Sequence, residues 1–180
     1  MRRRSYSDPG HAHFVTFSCY QNLPIRENSW ACEFLAQSLD SARIAEEFDL
    51  WAYVFMPDHV HLVICPQGFE YSISSMLRAI KEPCSRRIVS YLQAHDTDFL
   101  GRLLVRSGTR EFHRVWQRGG GFDRNLITPE IVRRAIDYVE ANPVRKSLVE
   151  TPAAWRWSSA RQRAGYADAV LGVDVCGALT

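Results

Sequence analysis

The chain has 180 residues, of which 46% are hydrophobic and 23% charged, and its formal net charge is +2. This size and composition predict a single globular domain, and they exclude a membrane span because no apolar run approaches the roughly 18 residues that a span needs. The N-terminus lacks the apolar segment of a signal peptide, and the five cysteines are scattered and odd in number. We therefore expect a cytoplasmic protein without a disulfide framework.

The first half of the chain alternates between strand and helix patterns. Segments with alternating, β-branched residues predict three strands, at 13–19, 50–56 and 59–65. Apolar residues at helical spacing predict two helices, over 28–48 and 72–93. Pro83 lies inside the second helix, and we expect a kink or break near Glu82 because proline cannot donate the helical hydrogen bond.

The next part of the chain is less regular. Residues 95–109 are polar and predict a mobile loop, and 112–117 predict a strand. A glycine-rich turn at 118–121 follows, and 122–127 form either a second short strand or an extended arm.

The last predicted helix begins with a strong start signal. Thr128 is a good N-cap and Pro129 suits the first helical position, so a helix should run to about residue 141 and stop before Pro143. The order of elements predicts an α+β fold of the split β-α-β kind with an antiparallel sheet. We expect the domain to span residues 1–160, with 161–180 as a C-terminal tail.

Two histidines stand out in the strand at 59–65. His59 and His61 flank Val60, so both imidazoles project from one face of an extended strand. Two neutral imidazoles at this spacing can hold one divalent metal ion, although they could also be polar residues on a hydrated strand face. A second pair, His11 and His13, lies at a strand entrance and is a weaker candidate for metal ligands.

The basic residues are unusual in kind and in placement. Of 22 basic residues, 20 are arginines, and the segment 101–146 holds nine arginines and one lysine against five acids. Arginine presents a planar donor group that suits phosphate. An arginine-rich proteome would explain the ratio of arginine to lysine, but it explains the clustering less well.

The helix that starts at Pro129 carries an unusual polar edge. At about 100° per residue, Arg134, Tyr138 and Asn142 fall along one border of its apolar stripe. From periodicity alone, Tyr138 is either a boundary tyrosine with a buried ring or a reactive group.

Several motifs together resemble one family. The segment 56–63, MPDHVHLV, resembles the His-hydrophobic-His motif of single-tyrosine HUH transposases. The segments 138–144, YVEANPV, and 155–159, WRWSS, are similar to the tail of one branch, the REP-associated tyrosine transposases of the IS200-like family. WQRG at 116–119 also resembles that branch, and the match covers roughly residues 11–160 in the right order.

The resemblance implies a fold and a site. The fold would be a ferredoxin-like sandwich with the histidines on a central strand and a C-terminal catalytic helix. His59 and His61 would hold Mg²⁺ or Mn²⁺, and Tyr138 would be the nucleophile. Asn142 would complete or orient the metal site. The family commonly has histidine two residues after the tyrosine, where this chain has Glu140, so the third ligand is either Asn142 or Glu140.

The resemblance also implies a substrate, which is single-stranded DNA with a palindromic hairpin, bound by a monomer or a homodimer. The side chains expected to contact DNA are all basic: Arg2, Arg3, Arg4, Lys81, Arg114, Arg118, Arg124, Arg134 and Arg145.

The implied chemistry is attack of the tyrosine oxygen on phosphorus, which gives a 5′-phosphotyrosine link and a free 3′-hydroxyl. A free phenol has a pKa near 10, so the metal ion and nearby arginines must help it to lose its proton. One alternative is a hairpin-binding protein that has lost cleavage. Another is an RNA-binding α+β module, which would need exposed aromatic residues on the open sheet face. A histidine-based hydrolase lacks the serine or cysteine elbow that it would need.

Overall fold

The computed structural model describes residues 9–24, 27–119 and 121–178. The described strands are β1 (Ala12–Ser18), β2 (Phe48–Phe55), β3 (His59–Pro66), β4 (Leu104–Ser107), β5 (Arg110–His113) and β6 (Phe122–Leu126). The described helices are α1 (Ser29–Ala45), α2 (Ile73–His95), α3 (Thr97–Arg102), α4 (Pro129–Glu140), α5 (Asn142–Arg145) and α6 (Ala160–Arg163). Single helical turns occur at Tyr20–Asn22 and Pro152–Ala154.

The centre of the fold is a four-stranded antiparallel sheet with the order β2-β3-β1-β6. Helix α1 connects β1 to β2, and α2 follows β3, so the chain crosses the sheet as in a ferredoxin-like sandwich. The predicted α+β fold with its split β-α-β arrangement is therefore confirmed. Residues 122–127, for which the sequence left two possibilities, contain the terminal strand β6 of this sheet.

The two faces of the sheet have different partners, as the alternation of side chains along each strand requires. On one face, Val60, Leu62 and Ile64 of β3 pack in a large core together with residues of α1 and α2. On the other face, Val63 packs in a smaller cluster with Val132, Ile136 and Val139 of α4. His59 and His61 have the same parity as Val63, so they lie on the α4 face.

Helix α4 begins where the sequence predicts. The Thr128 side chain accepts a hydrogen bond from Ile131 N at 3.3 Å, and Pro129 occupies the first turn. The helix ends at Glu140, and α5 begins at Asn142. The burial of Val132, Ile136 and Val139 in the smaller cluster fixes which side of α4 faces the sheet.

Three predictions for local structure are wrong in whole or in part. Residues 95–109 are not a loop: the Asp96 side chain accepts a hydrogen bond from Phe99 N and caps α3, and β4 pairs with β5 as a two-stranded ribbon. The predicted strand 112–117 is split, because β5 ends at His113 and Trp116 then bridges to Cys19 at the end of β1. Of the kink or break expected near Glu82, the break does not occur, since α2 runs unbroken from Ile73 to His95.

The C-terminal segment covers the outer edge of β2. Phe55 N donates to Trp157 O, Ser159 N donates to Tyr53 O, and Asp174 N donates to Leu50 O. An uncovered edge strand would leave these backbone groups available to another chain, so the segment closes one edge of the sheet.

Within the described residues, no helix is both long and apolar enough to cross a membrane. All five cysteines are free thiols, in agreement with the expected lack of a disulfide framework.

Candidate active site

His59 and His61 lie side by side on β3, with their ring centroids 4.7 Å apart. The predicted shared face is therefore confirmed. The His59 Nδ1–H donates to Asp58 Oδ1 at 2.7 Å, and His61 Nδ1 is hydrogen-bonded to Thr16 Oγ1 at 2.6 Å. Because a partner engages Nδ1 of each ring, Nε2 is the nitrogen through which either ring would bind a metal ion. Such partners on the other ring nitrogen are typical of metal-binding histidines.

Tyr138 of α4 lies close to these histidines, on the face of the sheet that packs against α4. Its ring centroid lies 5.7 Å from that of His61 and 5.8 Å from that of Phe14, edge to face in both cases. The side chain keeps 39% of its surface exposed, so a DNA strand can reach it. The Arg145 guanidinium lies over the Tyr138 ring, 4.8 Å from its centroid. The structure thus brings together the predicted histidines, the predicted tyrosine and a cation.

The two candidates for a third metal ligand have different surroundings. Asn142 is buried, with 4% of its surface exposed, at the start of α5. Glu140 instead accepts hydrogen bonds from Ser159 Oγ at 2.6 Å and from Arg163 Nε at 2.8 Å. These partners hold Glu140 toward the C-terminal segment, which favours Asn142 over Glu140. Across the ranges that the structure describes, His, Cys, Asp and Glu side chains form no group of three or more suited to a metal ion.

A groove of about 360 Å³ opens beside Tyr138, between β6 and α4. Its walls come from both elements and from β1: Phe14, Phe122, Arg124, Leu126, Ile131, Arg134, Ala135 and Tyr138. The predicted DNA contacts Arg124 and Arg134 therefore lie in the same groove as the predicted nucleophile.

A second, larger cleft of about 690 Å³ lies between α2 and the β5 region. Basic side chains dominate its polar lining: Arg78, Lys81, Arg86 and Arg114, against one acid, Glu82. The Lys81 ammonium donates to Gly119 O at 3.3 Å, and burial lowers the pKa of Lys81. Lys81 therefore also anchors the glycine turn, while Arg114 lies in the cleft as a phosphate-binding group would.

Of the remaining predicted basic residues, one is exposed and three lie outside the described residues. Arg118 is exposed beside Gly119 at the cleft. Arg2, Arg3 and Arg4 lie outside the described residues, so their DNA contacts stay a prediction.

The weaker histidine pair has no metal-site geometry. His13 is fully buried, and its two ring nitrogens are hydrogen-bonded to Asp123 Oδ1 at 2.8 Å and to the Tyr71 hydroxyl at 2.9 Å. His11 Nδ1 lies 3.3 Å from the Asn125 side-chain nitrogen. His13 thus ties β6 to the rest of the sheet and is not available as a ligand.

Several residues of the site are missed by sequence reasoning. Thr16, Phe14 and Phe122 reach it through strand pairing, with Thr16 opposite both His61 and Phe122. No local motif marks these residues, because register between distant strands is a property of the fold. Arg78 and Arg86 could have been found from their spacing, since residues at such intervals share one side of a helix.

The chain is similar to known proteins in sequence and in structure. The profile of the family described as "Transposase IS200 like" matches residues 8–106. No curated protein matches the chain. A REP-associated tyrosine transposase, solved bound to a REP hairpin, is similar over 100% of this chain and 93% of its own, with 18% identity and a TM-score of 0.69.

A structure described as a "putative transposase" from Deinococcus radiodurans R1 is similar over 79% of this chain and 96% of its own, with 19% identity and a TM-score of 0.47. At 18% identity, the REP-associated transposase shows a common fold. The family profile spans more than half of the chain and includes the strand that carries His59 and His61. The chain belongs to the IS200-like transposase family.

Proposed function

We propose that this transposase is a metal-dependent endonuclease and strand transferase that cuts single-stranded DNA beside a hairpin. The observation that carries the proposal is the position of Tyr138, whose ring lies 5.7 Å from His61 and is open to solvent. A nucleophile, a pair of imidazoles and several arginines meet on one face of the sheet. The hairpin in the related complex supports DNA of the same kind as the substrate.

The donor set fits Mg²⁺ or Mn²⁺. His59 and His61 would supply one Nε2 each, with Asn142 as the candidate for a further ligand. Such ions keep several water ligands and share phosphate oxygens with their substrates, so a site with few protein ligands is suitable. When bound, the ion would polarise the scissile phosphate as a Lewis acid.

The side chains of the protein account for the remaining steps. The Tyr138 oxygen attacks phosphorus and loses its proton, the P–O3′ bond breaks, and the 3′ oxygen takes up a proton to leave as a hydroxyl. Arg145, 4.8 Å from the centroid of the Tyr138 ring, stabilises the charge that develops on the phosphate. Because the phosphodiester energy is kept in the phosphotyrosine bond, a second 3′-hydroxyl can reverse the step and join a new strand.

The arginines supply affinity at two places. Arg124 and Arg134 flank the phosphate to be cut, and the α2–β5 cleft offers four basic side chains to the DNA backbone. Contacts of this kind dominate nucleic-acid affinity and carry little sequence information.

The test is covalent capture. The protein is incubated with a library of single-stranded hairpins and Mn²⁺, and the trapped strands are sequenced while the attached peptide is mapped. We expect adducts on Tyr138 that disappear in EDTA and in His59→Ala or His61→Ala variants, while hairpin binding persists. Attachment at another residue, or cutting by the double variant in EDTA, would overturn the proposal.

A further inference from the structure

We propose that the groove between β6 and α4 binds one unpaired base of the DNA strand, next to the phosphate that Tyr138 attacks. The inference rests on the proposed function and specifies part of its substrate, namely a nucleotide turned out of any duplex. Three features of the groove support it: a partly exposed aromatic pair, an apolar floor, and two arginines with no acidic residue among the side chains that line the groove.

The aromatic pair lies on the α4 face of the sheet, beside the helix. Phe14 and Phe122 meet with centroids 5.9 Å apart at 66°, and Phe122 keeps 43% of its surface exposed. Phe14 also stacks on His61, with centroids 5.4 Å apart and planes at 24°. A base resting on Phe122 would therefore continue a series of rings that leads to the histidine pair. Exposed aromatic side chains on a sheet are a common platform for bases of single-stranded nucleic acids.

The size and lining of the groove suit a base. Its volume of about 360 Å³ lies within the range of roughly 300–1,000 Å³ that small-ligand sites occupy. The floor of the groove is apolar and consists of Leu126, Ile131 and Ala135. A flat, weakly polar ring would cover this floor better than water does.

The charge of the groove complements a phosphodiester. Arg124 and Arg134 line it, and none of its lining residues is acidic. Asp123 adjoins Arg124 in the chain, but its carboxylate is held by His13 at 2.8 Å. An anion attached to the bound base would thus meet two cations and no opposing carboxylate.

The aromatic pair is held in place before DNA arrives. A Cβ on Gly121 would lie 2.0 Å from Thr16 O, and its φ is +78°, so only glycine lets the chain enter β6 this close to β1. The Asp123–His13 hydrogen bond fixes the next residue. Phe122, between these two anchors, therefore has a defined position beside the active site.

The shape of the groove requires the bound base to be unpaired. The groove is bounded by a strand on one side and a helix on the other, so a base enters it only after leaving its stack and its partner. Cleavage should consequently occur in the single-stranded flank of a hairpin and not in its stem.

The experiment measures binding without cutting. A fluorescent hairpin oligonucleotide with single-stranded flanks is titrated in EDTA, and each flank base in turn is replaced by an abasic site. For the unaltered protein, we expect one flank position at which the abasic site weakens binding roughly fivefold or more, as loss of one stacked base does. Phe122→Ala should weaken binding to the intact strand by a similar factor and should be insensitive to the abasic site at that position. Phe122→Trp should restore the sensitivity.

Phe69→Ala is the matched control, because Phe69 is 85% exposed and outside the groove. A 2-aminopurine placed at the sensitive position should be quenched on binding to the unaltered protein and to Phe69→Ala, but not to Phe122→Ala. The inference would be overturned if each abasic site reduced the binding affinity of Phe122→Ala by the same factor as that of the unaltered protein. If adducts form on Tyr138 but no flank position loses its abasic-site sensitivity in Phe122→Ala, this inference alone is wrong. If such a position exists but no adducts form, the proposed nuclease activity is wrong and the base site remains.

Discussion

At the scale of single residues, the hydroxyl of Tyr138 is the group on which the proposed chemistry depends. Tyr138→Phe keeps the ring and its contacts with His61 and Phe14, so we expect the free energy of unfolding to change by less than about 0.5 kcal/mol. Covalent DNA adducts should fall below detection, while hairpin affinity stays within about twofold, since phosphate contacts supply most of it. Adduct formation is measured on denaturing gels and binding by anisotropy.

The control for this variant is Tyr91→Phe. Tyr91 stacks between Trp30 and His95, at centroid distances of 4.2 Å to each, and none of its ring partners belongs to the site. The Tyr91→Phe variant should form adducts at the same rate as the unaltered protein. Persistent adducts in Tyr138→Phe would assign the nucleophile to another side chain.

A substitution at Thr16 tests the metal site without replacing a proposed metal ligand. Its 2.6 Å contact with Nδ1 orients the His61 ring, and Thr16→Val removes that contact while keeping a β-branched side chain. Loss of such a partner typically lowers metal affinity by about 10–100-fold. We expect a weakening of Mn²⁺ binding of that size, measured by calorimetry or by the spectrum of free Mn²⁺.

Ser18→Ala is a suitable comparison for Thr16→Val. Ser18 lies opposite His59 in the same strand pair, and the substitution should leave Mn²⁺ affinity within about twofold because Asp58 holds the His59 ring. If Thr16→Val binds Mn²⁺ as well as the unaltered protein, His61 is not held for a metal ion.

At the scale of elements, α2 and β5 make a cleft that should track the DNA backbone. Arg86 and Arg114 line it, and Arg118 is exposed at its rim beside Gly119. Each arginine that neutralises a phosphate contributes close to one unit to the slope of log K against log salt. Replacing any of these three by alanine should flatten the slope by up to about one unit in a hairpin-binding titration.

Arg106→Ala is the control for the cleft. Arg106 is 75% exposed on β4, where its guanidinium is paired with Glu111 at 2.6 Å, and it does not line the cleft. The slope of log K against log salt for Arg106→Ala should match that of the unaltered protein. An unchanged slope in a triple variant of the cleft would make these arginines ordinary solvated surface.

The elements that the sequence predicts are those whose signal is local. The period of two places His59 and His61 on one face, and Thr128 with Pro129 marks the start of α4 because capping acts within one turn. Helix α3 is missed because its six residues are too few for a periodic pattern. Pro83 does not break α2, since packing of its buried face outweighs one lost hydrogen bond.

The candidate site is predictable only in part, for the same reason. The histidines and Tyr138 are marked by spacing, but Thr16 and Phe122 reach the site through the register of β1 with β3 and β6. The partners of Glu140 lie in a C-terminal segment whose sequence indicates little structure. Such contacts join parts of the chain that no local pattern relates.

At the scale of the whole molecule, one junction connects the catalytic helix to the covered edge of the sheet. Glu140 accepts from Ser159 and Arg163, Ser159 also contacts the Tyr53 backbone, and Arg163 donates to Trp51 O. We call Glu140, Ser159 and Arg163 the helix–tail junction. Because Glu140 lies two residues after Tyr138, this junction fixes the end of α4 relative to the strand that neighbours the histidines.

The Glu140→Ala variant separates a structural role from metal binding. Removing the carboxylate takes one hydrogen-bond acceptor from Ser159 Oγ and one from Arg163 Nε, so we expect the free energy of unfolding to fall by about 1–3 kcal/mol in urea titrations. Mn²⁺ affinity should stay within about twofold, because His59 and His61 keep their own partners. Adduct formation should slow, since a loosened helix end lets Tyr138 drift from the attack position. Glu140→Gln keeps an acceptor for Ser159 and should recover part of the stability. A large loss of Mn²⁺ affinity in both variants, with normal stability, would make Glu140 the third ligand in place of Asn142.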